Sequence, residues 1–129
     1  MPSIRIDAGK LLELLLRAEV MMTAVDRRRY CDRAIHAIMD IIADFQMAYD
    51  FEDERLHYLK KLWADIAVLL QLMRIIGERN CIRLHPKHEP MTPDQMKLEI
   101  YNTVASLDEG ATKWKKTVIR NKGKTPTAG

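Results

Sequence analysis

The chain has 129 residues, 47% hydrophobic and 30% charged, a balance that fits one soluble domain and leaves too little chain for a second core. Its 21 basic and 18 acidic side chains give a formal charge of +3, too small for a uniformly polycationic protein. The most apolar run, 66–76, is interrupted by Gln71 and Arg74 and is too short to span a bilayer.

Near the N-terminus, Asp7, Glu13 and Glu19 lie among the leucines, which excludes the apolar core of a signal peptide. With no leader read there, Cys31 and Cys81 are expected to be reduced thiols of a cytoplasmic protein. Leu11, Leu15, Ala18 and Met22 recur by threes and fours, which predicts a first helix with Asp7 as its cap. After Asp26, the series Cys31, Ile35, Ile38, Ile42, Phe45 and Tyr49 is a nearly unbroken heptad seam and predicts a second. A third follows from Leu59, Leu62, Ile66, Leu69, Met73 and Ile76, widened by Leu56, Trp63 and Leu70, with Gly77 as its expected stop.

Residues 77–91 hold two prolines and no period, so they form the longest loop. Beyond it Thr92 can cap, Pro93 suits the first helical position and Gln95 can reach back to the cap's N–H, with Met91 and Met96 as a hydrophobic staple. A fourth helix is predicted from here, with Met96, Ile100, Val104, Leu107, Ala111, Trp114 and Val118 inward. Gly110 is tolerated inside it at about 1 kcal/mol relative to Ala. Four amphipathic helices with one long connection make an all-α, antiparallel up-down-up-down four-helix bundle the simplest packing. We expect a single domain over residues 1–120 and a basic, flexible tail over 121–129.

Charge is distributed unevenly along these elements. The stretch "KWKKTVIRNKGK" (113–124) carries six cations and no acid, leaving 15 basic against 18 acidic side chains elsewhere. Lys113, Lys116 and Arg120 share an outer helical face, Lys115 flanks it, and Lys122 and Lys124 lie beyond. A helix dipole favours cations at this end, which accounts for two or three of them. A second cluster, Arg27, Arg28, Arg29 and Arg33, opens the second helix, where the dipole disfavours them. Concentrated cations suit phosphates or acidic protein surfaces. No groove-reading or base-stacking motif accompanies them, so sequence-specific readout is not expected.

Other constellations are weaker. Cys81, His85 and His88 could supply three zinc ligands where a structural site takes four. Glu89 or His57 would have to complete the set, so the residues are read as polar loop positions and no metal is assigned. His36 with Asp40 and His57 with Lys61 are spacings that occur by chance on polar helix faces. Without a nucleophile beside a base, paired carboxylates on an apolar face or a phosphate-cradling glycine loop, the chain reads as a non-enzyme that needs no cofactor. Tyr30, Tyr58, Trp63 and Trp114 read as core or interface aromatics, and the eight methionines as an adaptable core or contact surface.

The run "KHEPMTPDQ" (87–95), leading into a long amphipathic helix that ends in "KWKKTVIRNKGK", resembles the accessory variability determinant family of diversity-generating retroelements. These are small four-helix-bundle proteins related to those encoded in ribosomal RNA intervening sequences. A weaker likeness extends over "RAIHAIMDIIADFQMAYD" and "LKKLWADIAVLLQLMRIIG". The resemblance implies a homopentamer with a basic surface that binds RNA or DNA with little sequence preference. It also implies association with the element's reverse transcriptase in mutagenic complementary DNA synthesis, with Lys113, Lys116, Arg120 and the arginines at 27–29 in contact. The alternative is a structural interaction bundle of the intervening-sequence type that binds no nucleic acid.

Overall fold

A computed structural model describes residues 4–123 of the chain. The described residues form an all-α protein of four helices with no strand. Helix α1 spans Ile4–Ala18 and tightens into a 3-10 turn at Glu19–Met21. Helix α2 is continuous over 24–50 and has three parts: Ala24–Asp26, a π-helical turn Arg27–Cys31, and Asp32–Asp50. After a 3-10 turn at Glu52–Glu54, α3 spans Arg55–Glu78 and α4 spans Pro93–Gly123. No helix among the described residues is long and apolar enough to cross a membrane.

The start of α4 follows its local chemistry. The Gln95 N–H donates to Thr92 Oγ1 at 3.2 Å and the Thr92 N–H donates to Gln95 Oε1 at 2.8 Å, a reciprocal capping box. Met96 is fully buried and Met91 packs on the core beside it. Two other termini differ from expectation. Asp7 lies within the first turn of α1 and not ahead of it, and its Oδ2 accepts from Ser106 Oγ at 2.8 Å. Nor does Gly77 stop α3. The left-handed residue is Asn80, at φ 51°. Its N–H donates to Gly77 O, and the Cys81 N–H donates to Ile76 O, both at 3.1 Å. This pair of bonds is a Schellman ending, and asparagine is the common alternative to glycine at that position. At the far end α4 continues to Gly123, three residues into the segment expected to be tail; residues 124–129 lie outside the described ones.

Packing order decides which faces are buried. Helix α1 contacts both α2 and α4, α2 also contacts α3, and α3 and α4 touch only sparsely. Partners meet with residue numbers running in opposite senses: Lys10 pairs with Glu99 and Asp7 with Ser106 between α1 and α4, and Lys61 with Asp44 and Arg79 with Asp26 between α3 and α2. Because α2 is covered from two sides, its buried arc is wider than a heptad seam and rotated from it. Cys31, Ile38 and Phe45 are in the core as expected, but Ile35 and Ile42 are half-buried and Tyr49 is 58% exposed. Their places are taken by Ala34, Ala37, Ile41 and Ala48, whose alanines allow close helix approach. The predicted stripes of α3 and α4 hold, with Thr103 an added buried position and Phe45 packed on Trp114 at 5.5 Å between centroids.

One polar side chain sits where the sequence suggested no special position. Asp44 on α2 is 4% exposed. Its Oδ1 is 3.6 Å from Lys61 Nζ, and its Oδ2 finds no donor among the described residues. Burial first, then the neighbouring Asp65 carboxyl, push the Asp44 carboxyl up to about 7, against the pull of Lys61. A carboxyl raised in this way favours its neutral form, which a buried oxygen without a donor tolerates better than a charge.

Candidate nucleic-acid interface

The predicted arginines stand on the π turn and the residues after it. The turn is introduced by Thr23, whose Oγ1 accepts from the Asp26 N–H at 3.2 Å. A π turn carries an i→i+5 bonding pattern and shifts the register of the helix beyond it. Here it leaves Arg28, Arg29 and Arg33 exposed and Arg27 half-buried, while Cys31 points into the core. Arg28 is held by its own helix, its Nε donating to Ala24 O at 3.3 Å.

Two cations that the sequence reading passed over join this end. The Arg79 guanidinium lies 5.3 Å from the centroid of the Tyr30 ring and 3.9 Å from Asp26 Oδ1. The N–H groups of Arg83 and Leu84 both donate to Met21 O, at 3.1 and 3.0 Å, which fixes Arg83 beside the entry to α2. The result is a gathering of Arg27, Arg28, Arg29, Arg33, Arg79 and Arg83. Among the described residues only Arg79 of these six has a carboxylate partner, Asp26. The signal was present in "GERNCIR": a chain leaving an antiparallel α3 must pass the start of α2.

The loop that carries Arg83 is clamped at its other end. The Arg17 guanidinium donates to both carboxylate oxygens of Glu89, and Glu89 Oε1 also accepts from the Met91 N–H at 3.1 Å. These bonds hold the Glu89 carboxyl below its usual range, Arg17 being the larger cause. The same contacts occupy the residue that would have completed a zinc set. Cys81 is buried, its thiol pushed up by burial and by the nearby Asp26, whereas His85 and His88 are exposed, with His85 Nε2 2.8 Å from Glu89 O. No group of three or more His, Cys, Asp or Glu among the described residues is arranged to hold a metal ion.

The lysines of α4 form a separate patch. Lys113 is paired with Glu109 at 2.9 Å, which lowers the Glu109 carboxyl. Lys115 Nζ lies 5.6 Å from the Trp63 ring centroid, and Lys116 and Arg120 are exposed. Lys122 is on α4 with its side chain outside the description, and Lys124 lies outside the described residues. Lys115 thus neighbours the first half of α3, while the arginines neighbour its end. From Trp63 to Arg79, 16 residues of helix at 1.5 Å each separate them by about 24 Å, so one copy of the chain presents two basic surfaces. The histidine pairs join neither: His36 is exposed, His57 packs edge-on to Tyr58 at 5.1 Å, and Lys61 turns to Asp44.

Comparison with protein-family models, curated proteins and solved structures returns no match for this chain.

Proposed function

We propose that this chain is a non-enzymatic accessory protein of a diversity-generating retroelement. In this reading it is an antiparallel up-down-up-down four-helix bundle that works in the cytoplasm as a homopentamer, needs no cofactor, and holds template RNA or complementary DNA beside the reverse transcriptase. The observation that carries nucleic-acid binding is the arginine end: six guanidiniums from α2, the end of α3 and the next loop, five of them without a carboxylate partner among the described residues. Arginine offers planar, bidentate forks that match phosphate oxygens, and a cluster with few acids loses little to internal pairing. The alternative, an interaction bundle that binds no nucleic acid, draws on the open side between α3 and α4, where the exposed Leu98 and Tyr101 line a groove.

Fluorescence anisotropy of a labelled structured RNA across a salt series tests the reading. Wild type is compared with Arg28→Glu/Arg29→Glu/Arg33→Glu and with Lys113→Glu/Lys116→Glu/Arg120→Glu. Affinity should fall with salt, and the arginine variant should flatten the slope of log K against log salt by roughly 0.7–0.9 for every phosphate it no longer neutralises. No binding at low salt, with helicity and oligomeric state intact, would reject nucleic-acid binding. A monomer in light scattering would reject the pentamer.

A further inference from the structure

The lysine patch of α4 borders a groove of different character from the arginine end. Between the first half of α3 and the last turns of α4 lies a cleft of about 490 Å³, walled by Leu56, Trp63, Val118 and Ile119 and rimmed by Lys60 and Lys115, with no acidic lining residue. Ile119 is 58% exposed at its edge. The indole ring of Trp63 lies beneath the Lys115 ammonium, and its Nε1 is buried without an acceptor among the described residues.

We propose that this cleft is the docking site for an acidic amphipathic helix of a partner protein. The inference rests on the reading above and divides it: the arginine end meets nucleic acid, and the lysine cleft meets protein. A cleft left between two sparsely touching helices fits the apolar stripe of a third, read at i, i+3, i+4 and i+7. Carboxylates flanking that stripe meet Lys60 and Lys115 across the rim, and the complementary charge steers the encounter. Nucleic acid fits this cleft poorly. Its walls are mainly aliphatic, its one aromatic ring is already covered by a lysine, and single strands are held by open stacking platforms.

The probe is a fluorescein-labelled synthetic peptide with leucine at the helical stripe positions and glutamate elsewhere, beside its counterpart with lysine in place of glutamate. The full chain is titrated as wild type, as Lys60→Glu/Lys115→Glu and as Ile119→Glu. These are exposed positions, and circular dichroism checks that the fold is kept. The glutamate peptide should bind and the lysine peptide should not, each variant should weaken binding about tenfold or more, and unlabelled oligouridylate should fail to displace the peptide. No binding, equal binding by the variants, or displacement by oligouridylate would overturn the proposal. So would a loss of subunits in light scattering of Ile119→Glu, which would give the cleft to a second copy. Neither variant touches an arginine of the other end, so RNA titration fails or succeeds independently of this result.

Discussion

Asp44→Asn replaces a buried carboxyl by an isosteric amide that is neutral at every pH and can donate to Asp65. In the fold the Asp44 carboxyl stands at about 7, against an ordinary value of 3.8. Its folded value exceeds its unfolded one, so the native state binds the extra proton. The stabilisation from that proton is complete below about pH 4 and is lost as pH rises through about 7. Each pKa step is worth about 1.36 kcal/mol, which sets a ceiling of about 4 kcal/mol for ionised Asp44 above pH 8. Lys61 at 3.6 Å and relaxation around a buried charge reduce the working figure to about 2 kcal/mol. For a chain of this size that is roughly 6–10 °C in Tm. Thermal denaturation followed by circular dichroism at pH 4.5, 6 and 8 is the assay. The variant should melt higher at pH 8, with the difference shrinking towards pH 4.5, where the native aspartate is itself neutral. A variant that melts lower at pH 8, or is offset equally at all three values, would refute the raised, buried Asp44 carboxyl.

Three further outcomes are expected. Thr92→Ala removes the acceptor for the Gln95 N–H and should cost about 1 kcal/mol in urea unfolding, without changing the m-value. Glu89→Gln removes the charge that Arg17 holds and should speed hydrogen exchange at the Arg83 and Leu84 amides. In wild type the same loosening should set in as pH falls, because the carboxyl lies below its usual range when folded and its contribution is lost on protonation. Burial pushes the Cys31 thiol up to about 12 and the Cys81 thiol also upward, so both should resist Ellman's reagent at pH 8 in the native protein and react fully in guanidinium. Rapid native labelling of Cys31 would contradict its burial.

The arrangement of this protein explains where local reading succeeds. A capping box and a hydrophobic stripe are set by residues three and four apart, and the same few side chains create them in any fold. That is why Thr92, Gln95 and Met96 and the inward positions of α3 and α4 were legible. The two groups of cations were legible as composition, whereas their separation is read from Lys115 over Trp63 and Arg79 over Tyr30.

The features hidden from the sequence depend on residues far apart in the chain. The left-handed turn that follows α3 falls at Asn80 and not at Gly77, and this leaves Ile76 and Cys81 both buried in the core. Tyr49 turns outward and Ala48 inward because α2 is gripped by α1 and α3 at once. Arg79 and Arg83 join the arginines of α2 only once the α3–α4 loop is hung on Met21 O and clamped by Arg17 and Glu89. The sequence determined four amphipathic helices and their charges, since period and caps are local. The tertiary structure alone decided that Asp44 meets Asp65 in the interior and that α3 and α4 stay apart, since both follow from which helix faces compete for the same core.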